Sequence, residues 1–205
     1  MKTLSLLISL VILSQYACIT IEHLPTRLVN DGSDSIREIE KQYIHPFNEA
    51  DMNSINSPNQ FQLLSGTDLR QVVSKKNYVI VVIWASWCPI CHLYLRKMKS
   101  WKDSLAQMNQ IVELMLAEQN FNITYSQQVL AEVQYNYLSY IIDPLAHGKN
   151  ESYKTDNLIY AIDKTRKKHG NGAVPKTIVF DHDGKVVFEG AGKRTTLHNI
   201  LEAIK

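Results

Sequence analysis

Two cysteines three positions apart, Cys88 and Cys91, are the residues whose type and spacing best suit chemistry in this chain of 205 residues. A thiol attacks only as its thiolate, and a free cysteine with a pKa of about 8.5 is mostly protonated at neutral pH. The flanking sequence supplies a remedy. An apolar run, Tyr78–Trp84, is followed by the short Ala85-Ser86-Trp87 turn and then by a helical pattern. Pro89 suits the first turn of that helix, where no N–H partner is needed. Cys88 then falls at a helix N-terminus, its sulfur open to solvent, where unpaired backbone N–H groups and the positive dipole end favour the anion. Cys91 follows one turn later on the same side and can reach it. One sulfur can attack a partner's disulfide and the other resolve the mixed disulfide. Trp87 forms an apolar rim.

Other chemistries share these residues. A structural zinc site wants four ligands, and there is no second cysteine pair. Cys88-x-x-Cys91-His92 also spells the attachment pattern for c-type haem, with His92 as iron ligand, although a buried strand directly before it is the wrong setting. A purely structural Cys88–Cys91 disulfide is a third option.

The pair must be positioned by elements on both sides of it. Tyr78–Trp84 is continuously apolar, as expected of a central strand covered on both faces. Phe61–Leu64 and Ile111–Ala117 read as further strands, and Thr67 opens a helix to about Lys76. After the cysteines, Leu95, Met98, Trp101, Leu105 and Met108 mark one helix face, opposite Arg96, Lys97, Lys99 and Lys102. Thr124 to Ile142 reads as one long amphipathic helix, residues 144–154 as loop, and Asp156 to Lys168 as another helix. Lys176–Phe180, the Asp181-His-Asp-Gly184 turn and Lys185–Glu189 form a hairpin signal. Thr195 to Lys205 reads as the last helix. The order β-α-β-α-β-α(-α)-β-β-α predicts an α/β layered domain over residues 61–205.

Composition is ordinary for a globular protein, with 45% hydrophobic and 20% charged residues. The net charge of +2 gives no electrostatic case for nucleic acid as a partner. Three cysteines are too few for a disulfide scaffold. Residues 1–18 carry Lys2 and then an apolar run from Leu4 to Leu13, too short to span a bilayer but suited to a signal peptide or lipoprotein signal. Export to a periplasmic or other extracytoplasmic space follows as an expectation. Cys18 is a lipidation candidate that would anchor the protein to the membrane and use the odd cysteine, although Gln15 and Tyr16 depart from the usual signal. Residues 19–60 read as a polar N-terminal extension or spacer, with a short helix over Ser33 to Tyr43.

The segment IWASWCPICHLYL resembles the active-site segment of thioredoxin-fold oxidoreductases, most nearly the exported, membrane-tethered TlpA/ResA type. The resemblance extends to Ala173-Val174-Pro175-Lys176-Thr177 and the Asp181–Gly184 turn. It implies a thioredoxin-like fold, with a central mixed β-sheet flanked by helices. It also implies that Pro175 is a cis-proline opposite the cysteines, with Val174 and Pro175 offering a substrate-docking edge beside Trp87. The 57 positions from Glu118 to Pro175 imply a helical insertion, about residues 121–170, before the cis-proline strand.

Departures from the family pattern also matter. Thioredoxins carry a buried acid six residues before the first cysteine, and here that place is Val82. Glu118 is a substitute unless it is simply a solvated strand end. The dipeptide between the cysteines is Pro89-Ile90, which lacks the histidine of strongly oxidising relatives. His92 adds positive charge when protonated, unless it is only a helix-surface residue. The expected activity is therefore thiol–disulfide exchange with other exported proteins, Cys88 attacking and Cys91 resolving, with a reductase role slightly favoured. The dithiol needs no metal and no organic cofactor. Exported protein thiols or disulfides, and a membrane-bound redox protein, are the partners implied. The alternative is a membrane-anchored binding module on the same scaffold, its cysteines merely structural.

Overall fold

A computed structural model describes residues 42–52, 60–108, 112–120, 122–148, 150–167 and 172–205. The segment read as a signal, Cys18 and most of the 19–60 spacer lie outside the described residues, as does the helix read over Ser33 to Tyr43 except its last two residues, which form a turn.

Seven strands form one sheet in the order β1-β2-β5-β4-β3-β6-β7. They are β1 (Ile44–His45), β2 (Phe61–Leu64), β3 (Tyr78–Trp84), β4 (Val112–Glu118), β5 (Ser139–Ile142), β6 (Lys176–Asp181) and β7 (Val186–Ala191). Strands β1 to β5 pair in parallel, whereas β6 runs antiparallel to both β3 and β7, so the sheet is mixed. The helices are α1 (Gly66–Val73), α2 (Pro89–Leu95), α3 (Met98–Ala106), α4 (Ile123–Glu132), α5 (Pro144–His147), α6 (Glu151–Ile162) and α7 (Leu197–Ala203).

Strand β3 explains the layering. From Val79 to Trp84 it is wholly buried, as its unbroken β-branched run requires. Ile80, Val82 and Trp84 point to one face, where α2, α3, α4 and α7 supply Leu95, Trp101, Leu130 and Ile200. Val79, Val81 and Ile83 point to the other, where α1 and α6 supply Leu69, Val72, Leu158 and Ile162. Ser65 starts α1 with a reciprocal capping box, its hydroxyl accepting from Asp68 N–H and the Asp68 carboxylate accepting from Ser65 N–H.

The segment expected to be one helix over Thr124–Ile142 is instead helix α4 followed by strand β5. Gln134 takes a left-handed φ of 57°, which ends the helix. The four residues of β5 are buried and lie between β2 and β4. Val129, Val133, Tyr137 and Ile141 fit a helical period, yet the short apolar stretch Leu138–Ile142 fits a buried strand equally well. The expected insertion is therefore not purely helical. Similarly, 144–154 is not all loop: Asp143 caps the short α5, and α6 starts at Glu151 rather than Asp156 and ends at Ile162. The helix after the cysteines divides at Arg96 and Lys97, and Met108 is exposed rather than inward-facing.

Candidate active site

Strand β3 ends at Trp84, and the chain turns through Ala85, Ser86 and Trp87 into α2. Cys88 N–H donates to the Ala85 carbonyl at 3.0 Å and closes the turn. Cys88 is itself the N-cap of α2: its backbone is extended, Pro89 fills the first helical position, and its Sγ accepts Cys91 N–H at 3.2 Å. The sequence reading of a strand–turn–helix junction at the thiol is thus what forms.

The sulfur is more covered than expected. Cys88 is 5% exposed, and Cys91 is fully buried. Of the two cysteines only Cys88 keeps any exposure, and its neighbour Trp87 is half-buried. The Val174–Pro175 bond is cis, and the Cys88 thiol reaches the Val174 carbonyl at 3.7 Å. Pro175 is buried and Val174 half-buried, while Gly192 N–H fixes the Pro175 carbonyl at 2.9 Å. Pro89 and Ile90 face solvent.

The two thiols have opposite acidities. Hydrogen bonding from the Cys91 thiol, with help from the Cys91 and Ile90 N–H groups, brings the Cys88 thiol down to about 7, against the opposing effect of burial. Burial pushes the Cys91 thiol far up, and the neighbouring Cys88 and Glu118 charges push the same way.

Glu118 is not a solvated strand end. Strand alternation turns it to the α2 face, in register with Trp84, and it is fully buried. Its Oε1 accepts Ser86 N–H at 3.0 Å. Among the described residues its Oε2 has no partner of good hydrogen-bond geometry. Desolvation raises its carboxyl to about 7, although the nearby Ser126 and Ser86 groups favour the charged form. Val82 is apolar and buried, as expected, so the acid of this site comes from the neighbouring strand.

His92 is neither free nor simply on the surface. It is half-buried, and its Nε2 donates to the Ser86 carbonyl at 2.6 Å, so that nitrogen carries a proton. Its ring meets Tyr125 of α4 edge-on, with centroids 6.2 Å apart. One turn is thus held from both ends: His92 grips the Ser86 carbonyl, and Glu118 takes the Ser86 N–H. Ser126 and Tyr125, which bring α4 onto the site, were not read from the sequence. They sit in an otherwise ordinary helical pattern, and only the folded position of α4 marks them.

Among the described residues, no group of three or more His, Cys, Asp or Glu side chains comes together to hold a metal ion. No described helix is long and apolar enough to cross a membrane.

Fold, cis-proline and paired thiols of unequal acidity together define a thioredoxin-like thiol–disulfide oxidoreductase. Over residues 55–204 the chain matches the Redoxin family, and it belongs to that family. No curated protein matches it. Among solved structures it is similar to a thiol:disulfide interchange protein of the thioredoxin family from Chlorobium tepidum, at 18% identity and a TM-score of 0.47, covering 66% of this chain and 84% of that one. It is also similar to the thioredoxin domain of a thiol-disulfide oxidoreductase from Bacteroides vulgatus, at 12% identity and a TM-score of 0.45, covering 64% and 82%. StoA from Bacillus subtilis matches at 18% identity and a TM-score of 0.43, covering 63% and 84%.

Proposed function

We propose that this protein reduces disulfides in exported proteins, with Cys88 as nucleophile and Cys91 as resolving thiol. The observation that carries the reading is the split between two neighbouring sulfurs, one eased toward its anion near pH 7 and the other held protonated. The Cys88 thiolate attacks one sulfur of the partner disulfide, forming a mixed disulfide and expelling the partner's other sulfur as thiolate. Cys91 then gives up its proton, attacks Cys88 Sγ and releases the second partner thiolate. The chain ends with a Cys88–Cys91 disulfide, oxidised by two electrons, and the partner gains those electrons. Glu118, as carboxylate, is the acceptor for the Cys91 proton, since it is the buried acid whose charge acts on Cys91. Val174 and Pro175 provide the edge along which the partner's backbone lies, and Trp87 the rim.

His92 positions this machinery through Ser86 rather than acting on substrate. The haem alternative is disfavoured because it needs His92 Nε2 for iron, and that nitrogen is engaged by Ser86. Export rests on the apolar run of residues 4–13, and membrane attachment on Cys18. The reductase direction rests on Ile90, whose side chain, unlike a histidine, adds nothing to the stabilisation that its backbone N–H gives the thiolate. A reduction potential above about −150 mV reverses that direction.

The decisive experiment is trapping. In Cys91→Ser, a partner is held as a mixed disulfide through Cys88; in Cys88→Ser, none is held and insulin reduction stops. Equal insulin reduction by wild type and Cys88→Ser reduces the protein to a binding module.

A further inference from the structure

The helix that begins at Cys88 exposes two large apolar side chains beside the thiol. Ile90 is 52% and Leu93 57% exposed, on an element whose other apolar residues, Tyr94 and Leu95, are buried. Arg96 and Lys97, at the division between α2 and α3, keep right-handed helical backbone angles. Positions 90, 93 and 97 therefore lie along one side, with 96 beside them. Arg96 and Lys97 are exposed, and among the described residues neither has a carboxylate within ion-pair distance. Lys99, two residues on, is by contrast paired with Asp103 at 2.9 Å. A further exposed cation, Arg194, belongs to the 3₁₀ turn Gly192–Arg194. That turn packs against α2 and is tied to Pro175.

The surface beside the thiol is thus an apolar strip that ends in uncompensated positive charge. At 1.5 Å per residue, Lys97 lies about 13 Å along the helix from Cys88. An extended chain covers that distance in about four residues. We propose that α2 is a docking surface for the partner's redox segment, and that this segment is apolar next to its reactive cysteine and acidic about three to five residues further along. The proposal rests on Cys88 being the attacking sulfur. Apolar contact at Ile90 and Leu93 seats the segment, and charge complementarity at Arg96 and Lys97 fixes its direction and speeds its encounter.

Two synthetic peptides test it. Each carries one cysteine activated as a 2-pyridyl disulfide, followed by two apolar residues and then by either three aspartates or three lysines. Attack on the peptide sulfur releases the neutral pyridinethione, which is followed by its absorbance. At low salt the acidic peptide is expected to react about tenfold faster than the basic one. The ratio is expected to fall toward one near 1 M salt, where screening acts over about 3 Å. In R96E/K97E the preference inverts, whereas Lys185→Glu, on the turn at the far end of the β6–β7 hairpin, keeps the wild-type ratio. Equal rates for both peptides at low salt overturn the proposal, as does a preference that R96E/K97E leaves intact. Neutral 2,2′-dithiodipyridine separates the two layers. If it reacts no faster with wild type than with Cys88→Ser, the nucleophile assignment fails and takes the docking surface with it. If it does react faster while the peptides are indistinguishable, only the docking surface fails.

Discussion

Strand β4 buries two glutamates five positions apart, and the sheet treats them in opposite ways. Glu113, near the start of the strand, is enclosed by cations: Lys102 bonds to Oε1, and Lys76 lies 3.7 Å from Oε2. Lys102 also donates to the Leu114 carbonyl at 3.2 Å. Glu118, at the end of the strand, has no ion-pair partner among the described residues and meets the Ser86 N–H and nearby hydroxyls. A paired buried acid stays charged and ties elements together. A lone one is held near its titration point, and that is useful only where a proton must move. The first ties α3 to the sheet, and the second faces the thiols.

The largest expected effect breaks the paired end. Lys102→Ala leaves buried Glu113 without its closest partner, and should cost about 3–5 kcal/mol of unfolding free energy. Chemical denaturation reads this, and the pH profile of Cys88 alkylation should not move. Next comes the lone end. The Glu118 carboxyl is raised from 4.5 to about 7 in the folded state. Between those pH values the native state binds more protons than the unfolded chain, so stability is fullest below about pH 4.5 and falls as pH rises to 7. The loss should be about 3 kcal/mol. Glu118→Gln should flatten that slope, and a slope that survives in the variant removes the lone-acid account.

Glu118→Gln should also slow resolution of the mixed disulfide about a hundredfold at pH 7, with the attack step unaffected. Quenched-flow trapping then shows the intermediate accumulating. The smallest effect concerns the turn between the two thiols and Glu118. His92→Ala removes one bond to Ser86 and should cost about 1 kcal/mol. His92→Gln, whose amide can donate to the same carbonyl, should restore much of it. Alkylation of Cys88 should titrate near pH 7 in the wild type, and a midpoint near 9 overturns the proposed hydrogen bonding to its sulfur.

Much of this site is legible in sequence because local chemistry dictates it. Tyr78–Trp84 has no polar residue to expose, so it is a central strand. Pro89 can sit only in a first helical turn, which puts Cys88 at its cap. Pro175 and the Asp181–Gly184 turn fix the hairpin opposite. What escapes is set by non-local contacts. Strand β5 hides because its apolar residues also match a helical period, and only its place between β2 and β4 decides. The burial of Glu118 depends on α4 closing over the end of β4, which no window around residue 118 reveals. The covering of Cys88 depends on Val174, 86 positions away. Ile90 and Leu93 are apolar letters in a helix, and nothing local says that they face outward.

Cys88, the proposed reacting atom, is also the fastening at the head of its own helix. A thiolate is a strong acceptor for the Cys91 amide, and a sulfur tied into a disulfide is a feeble one. The same amide also donates to the Cys88 carbonyl at 2.9 Å, so turnover at this pair would strengthen and weaken one of its two bonds, a difference that solvent exchange of a single amide hydrogen can read.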